Sequence, residues 1–238
     1  MVAGVLGQQL GGGGVVEFFD HYSMLNEFWA EDPSWSDPGD GNTVASWRDN
    51  GTRATDATQS TEADKPVYRS AATNLNSKPA IDFVSSDLLQ TSTSTATSGT
   101  YSVGVVWAAD SVSGTRYAVD GTGVNNRNSI GHTSGPVFRN FFGVTVDDSS
   151  TAPSANTAYC SISVVDDGTQ SHRLNGAVDY TGTVNVDDNR GLSFGGSHSS
   201  SNHIDGQIGY AFVYSGDITA ASGFADWEQA ILDHYGIS

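Results

Sequence analysis

From Trp35 onward, apolar and polar residues alternate in short runs, each closed by Gly, Asp, Asn or Ser. That is the pattern of antiparallel strands joined by turns. In TYSVGVVWAAD the residues Tyr101, Val103, Val105 and Trp107 fall on one face and Ser102 and Gly104 on the other, which predicts a strand with one face in a core. Further runs follow at RYAVDG, PVFRNFFGVTVDD, AYCSISVVDDG, HRLNGAVDYTG, GLSFGG and QIGYAFVYSG. Asn175-Gly176 marks a tight hairpin, because both residues tolerate positive φ. The last run puts Ile208, Tyr210, Phe212 and Tyr214 on one side and Gly209, Ala211 and Val213 on the other, so both faces need cover. The period then changes. Phe224, Trp227, Ile231 and Leu232 recur at helical spacing and predict one amphipathic helix, roughly Ser222 to His234, with Trp227 and Ile231 lying on that strand.

The chain opens differently. Met1 to about Gly14 is an uncharged, Gly-rich arm, and Val15 to Trp29 is denser in aromatics, with room for a short helix. The expected organisation is an arm over 1–27 and a sandwich domain over 28–238. The polar TSTSTATSGT between Thr91 and Thr100 reads as a loop or edge strand rather than a linker.

Composition narrows the partners. The chain has 238 residues and a net charge of −17, from 27 acids against 10 bases. No cluster of Lys or Arg is available to neutralise a run of phosphates, so nucleic acid is not expected as a partner and anionic membrane surfaces are poor candidates. No apolar run approaches the ~20 residues needed to cross a bilayer, so membrane insertion is not expected. The start lacks the basic residue and unbroken apolar core of a secretory signal. Cys160 is the one cysteine and alternates with Ile162 and Val164, which makes it a buried thiol rather than a nucleophile.

The order of several motifs carries a resemblance. GNTVASWRDNGTRATDATQ (Gly41 to Gln59), KPVYR (Lys65 to Arg69), SKPAIDFVSSDLLQT (Ser77 to Thr91), RLNG (Arg173 to Gly176), LSFGG (Leu192 to Gly196) and IDGQIGYAFVYSGDIT with a helix ending HYGI resemble laminin-G-like, concanavalin A-like jelly-roll domains of bacterial surface and phage virion proteins. The resemblance runs from about Phe28 to the C-terminus. It implies an all-β antiparallel jelly-roll β-sandwich with one short C-terminal helix, and a packed Trp47. Two positions depart from the family: Tyr210 stands where an acid is common and His234 where Lys is common, so no polar role is carried over to the last strand.

Candidate chemistry is sparse. Glycoside hydrolases need two carboxylates ~5 to 9 Å apart. None of the five glutamates (Glu17, Glu27, Glu31, Glu62, Glu228) falls in an expected sandwich strand, so no catalytic residue is assigned and the chain is expected not to be an enzyme. The six histidines include no i, i+4 pair of the zinc type; His198 and His203 decorate a loop. The G-x-S-x-G match around Ser193 lies in an expected strand with no helix after it, and reads as chance. Val-Asp-Asp occurs three times at expected strand ends, supplying Asp147, Asp148, Asp166, Asp167, Asp187 and Asp188. Turn chemistry is the favoured reading of these pairs. Calcium ligation is the alternative, and no other cofactor is expected. Phe138, Phe141 and Phe142 cannot all lie on one face, which leaves a ring available to a glycan or to a neighbouring subunit of a homo-oligomer.

These observations lead to an expected function: a structural protein on a bacteriophage virion surface, as capsid decoration or fibre, held to other virion proteins by its N-terminal arm and turning a lectin-like face to host or environmental glycans. The alternative is an extracellular or cell-surface bacterial carbohydrate-binding module. A hydrolase or lyase ranks third.

Overall fold

The computed structural model describes residues 22–92, 99–123, 127–135, 137–142, 145–166, 168–184, 189–199 and 201–238. The strands among them, in chain order, are β1 (Met24–Trp29), β2 (Ser46–Trp47), β3 (Ala57–Thr58), β4 (Val67–Ala72), β5 (Lys78–Phe83), β6 (Leu89–Thr91), β7 (Tyr101–Ala109), β8 (Arg116–Asp120), β9 (Asn128–His132), β10 (Phe138–Phe142), β11 (Thr145–Asp148), β12 (Ala158–Asp166), β13 (Thr169–Leu174), β14 (Ala177–Thr183), β15 (Ser193–Phe194) and β16 (Gly206–Ser215), followed by the helix α1 (Phe224–Tyr235). They form two antiparallel sheets. The first has the order β14-β13-β12-β7-β16-β5-β4, with β1 also paired to β16; the second runs β11-β10-β9-β8-β15-β6-β3-β2.

The alternation in the sequence sorts residues into two apolar layers. Between the sheets, Tyr101, Val103, Val105 and Trp107 meet Trp47, Leu89, Ile130, Phe138, Phe142 and Phe194. Trp47 is fully buried against Phe28 and Phe194, as its motif implies. The second layer lies outside the first sheet, where Val106, Ala108, Cys160, Ile162, Tyr210 and Phe212 are covered by Phe224, Trp227, Ile231, Leu232 and Tyr235 of α1. β7 and β16 are therefore buried on both faces. Gly104 is required here by a close approach, since a Cβ on it would sit 2.1 Å from the Phe212 ring.

α1 starts two residues later than expected and ends in a Schellman turn: Gly236 adopts φ 64° and the Ile237 N–H donates to the Leu232 carbonyl at 2.8 Å. Arg173 clasps the helix to β13 through two bonds to the Glu228 carboxylate, at 3.0 and 2.6 Å. The Asn175-Gly176 hairpin stands as expected, with positive φ at both residues.

Three expectations change. Met24–Trp29 is a strand, not helix, and pairs with the Tyr210–Tyr214 half of β16, so the sandwich takes in residues ahead of Phe28. Residues 1–21 of the arm lie outside the described residues. In β16 the register shifts between Ile208 and Tyr210, so Ile208 joins the inter-sheet core while Tyr210 and Phe212 face the helix. Tyr210 also has a polar role: its hydroxyl donates to Glu27 Oε1 at 2.8 Å, and Glu27 is itself a strand residue of β1.

Candidate functional site

The turn after β1 carries EDPSWSDPG, in which two prolines and alternating acids rule out regular structure and leave loop geometry to side chains. Asp32 supplies it. Its carboxylate accepts the Ser34 N–H at 2.8 Å, the Ser34 hydroxyl at 2.6 Å and the Asn50 amide at 2.8 Å. Arg48 holds the Ser34 carbonyl at 2.7 Å, and the Trp35 indole N–H donates to the Ser46 carbonyl at 3.1 Å. The half-buried Trp35 ring is thereby fixed edge-on to Tyr68 of β4, with centroids 5.6 Å apart at 76°.

Asp32, Trp35 and Tyr68 form one wall of a cleft of about 430 Å³, completed by Glu31, Asp37, Lys78, Pro79 and, from the last turn of α1, His234. The volume falls within the usual range for small-ligand sites. His234 Nε2 lies 2.9 Å from Glu31 Oε2, tying helix to turn. Burial, followed by the charges of Asp37, Glu31 and Asp40, pushes the Tyr68 hydroxyl up to about 12, so at neutral pH it stays protonated and can donate. The cleft thus combines two aromatic rings, three carboxylates, a phenol, an ammonium and an imidazole. That is an apolar platform ringed by hydrogen-bonding groups.

The residues singled out in the sequence lie elsewhere. Phe138 and Phe142 are fully buried between the sheets and offer nothing to a ligand. Phe141 is on the opposite face of β10, partly buried, with the Arg127 guanidinium 4.3 Å from its ring. Arg127 is in turn paired with the buried Asp120 at 2.8 Å. Asp147 accepts from the Tyr180 hydroxyl at 2.8 Å and from the Gln170 amide, while Asp148 takes both arms of Arg139 at 2.7 Å. Asp166 accepts from the Thr100 hydroxyl. Asp167, Asp187 and Asp188 lie outside the described residues. Among the described residues no three His, Cys, Asp or Glu side chains are grouped to hold a metal. Ser193 is buried in β15 and donates to the Gly196 carbonyl, and burial pushes the Cys160 thiol well up.

The sequence reading passed over Trp35, Tyr68 and Lys78. Only Trp35 has a local signal, a tryptophan in an acidic, proline-flanked turn; Tyr68 and Lys78 sit in β4 and β5 like ordinary strand residues.

A scan against protein-family models and a search of curated proteins both return no match. Solved structures share the fold. Domain 4 of a GH43 extracellular arabinanase from Geobacillus stearothermophilus, in complex with arabinotriose, is 14% identical with a TM-score of 0.56 over 90% of this chain and 98% of that one. A GH54 α-L-arabinofuranosidase aligns with a TM-score of 0.63 at 12% identity, over 81% of this chain and 50% of its own. Trypanosoma rangeli sialidase aligns with a TM-score of 0.54 at 10% identity, over 89% of this chain and 32% of the sialidase. The chain thus spans about a third of the sialidase chains it matches. The fold is one that carbohydrate-active proteins contain.

The expectation that the chain is not an enzyme is corrected by these likenesses, since sialidase and arabinofuranosidase chains contain the same fold. Its premise fails as well: Glu27 lies in a strand, so a lack of strand glutamates excludes nothing. The virion reading gains no support from them.

Proposed function

We propose that the chain is a glycan-binding β-sandwich domain whose ligand sits in the Trp35–Tyr68 cleft. The observation that carries this is the half-buried Trp35 ring, set edge-on to the buried Tyr68, in an acidic, hydrogen-bonding cleft of about 430 Å³. A sugar ring offers C–H groups to an aromatic face and hydroxyls to carboxylates, and this cleft holds partners for both. The arabinotriose complex of a domain with this fold supports the reading. It agrees with the carbohydrate-binding alternative drawn from the sequence.

Calorimetric titration with a panel of neutral trisaccharides (arabinotriose, galactotriose and cellotriose) tests it. At least one should bind, and Trp35→Ala, titrated well below its melting temperature, should weaken that binding by tenfold or more. Binding unchanged in the Trp35→Ala protein would contradict the proposal.

A further inference from the structure

The charges around the cleft carry the reading one step further. Its lining holds three carboxylates, Glu31, Asp32 and Asp37, against Lys78 and His234, and contains no arginine. His234 Nε2 lies 2.9 Å from Glu31, and Lys78 has no carboxylate partner among the described residues. Asp40, next along the same loop, accepts the Ser70 N–H at 2.8 Å. Around this cleft lies a chain with net charge −17 and only two lysines.

Recognition of a carboxylate usually rests on an arginine fork or several converging donors with positive charge. Here one ammonium faces several carboxylates, and the net local field is negative. Burial first, and then the charges of Asp37, Glu31 and Asp40, raise the Tyr68 hydroxyl, in line with a negative field at the cleft.

Resting on the glycan-binding reading, we infer that the cleft selects neutral oligosaccharides and discriminates against their uronic-acid counterparts. The discrimination is electrostatic. A carboxylate replacing a terminal hydroxymethyl group keeps the shape of the ligand but meets like charges at several ångströms. In a partly solvated cleft this amounts to about five- to tenfold in affinity, and salt screens it.

The test compares two forms of one ligand: the trisaccharide of the neutral panel that binds best, and the same molecule with its terminal CH₂OH oxidised to a carboxylate. At low ionic strength the neutral form should bind about five- to tenfold tighter, and the gap should close to about twofold in 0.5 M salt. Asp37→Asn should narrow the low-salt gap without added salt; Asp37 is exposed, so the substitution leaves the core untouched. Equal or tighter binding of the carboxylate form at low salt overturns the inference and leaves glycan binding standing. So does a gap that salt does not move, because the discrimination would then be steric. Absence of binding across the whole neutral panel instead removes the reading on which the inference rests.

Discussion

At the scale of single residues, alternation was a sound guide to facing and a poor one to exposure. In FRNFF it assigns Phe138, Asn140 and Phe142 to one face and Phe141 to the other, and the structure keeps that division. What it could not supply is that Arg127, from a different strand connection, stacks on Phe141. The Asp residues of the Val-Asp-Asp repeats show the same limit: their partners Tyr180, Gln170 and Arg139 come from other strands. The buried Asp179–His172 contact, at 3.3 Å, was likewise out of reach of any local pattern. The hydrogen bond from His172, helped by Ser149 and Thr151, holds the Asp179 carboxyl well below its ordinary 3.8, against the opposing effect of burial. A carboxyl depressed on folding stabilises the native state above its unfolded value, and that contribution fades as pH falls towards the folded value. Urea midpoints of the parent and of Asp179→Asn should therefore differ at pH 6 and converge as pH drops below about 4. A gap that stays constant down to about pH 2 would show that the carboxylate is not the source.

At the scale of elements, most strands and the helix were legible because period two and period 3.6 are written in the side chains. Two were not. The segment up to Trp29 mixes apolar and polar residues too irregularly to choose a period, and its strand exists because β16 offers an edge to pair with. The shift between Ile208 and Tyr210 is equally non-local, set by pairing against β7. α1 is secured by a contact that sequence does not show, the Arg173–Glu228 clasp, with Glu228 only 4% exposed. Removing one partner of a buried ion pair strands the other charge, at a cost of about 3 to 5 kcal/mol. Glu228→Ala should lower stability by about that amount in urea unfolding, and a loss under about 1 kcal/mol would mean the clasp is solvated and contributes little.

At the scale of the whole molecule, the two sheets and the helix leave different surfaces for function. α1 covers the outer face of β7, β12 and β16, while a second cleft, lined by Thr169, Ser171, Thr181 and Asp217, lies on β13 and β14 beyond it. The cleft lies where the turn after β1, the strands β4 and β5 and the end of α1 come together, so its residues span positions from Ala30 to His234. That separation is why the cleft was not legible as a motif: its residues are far apart in the sequence, and only the fold brings them together. The virion placement expected from the sequence draws on the Gly-rich arm, and residues 1–21 lie outside the described residues. The glycan reading draws on the cleft and not on the arm.

The measurement that tests it most directly is a backbone amide NMR titration with a neutral trisaccharide. The account predicts that the largest shift changes cluster at Ala30–Asp37, Tyr68, Lys78 and His234. Changes centred on Phe141 and Arg127, or on the far end of the sandwich at β13 and β14, would contradict it.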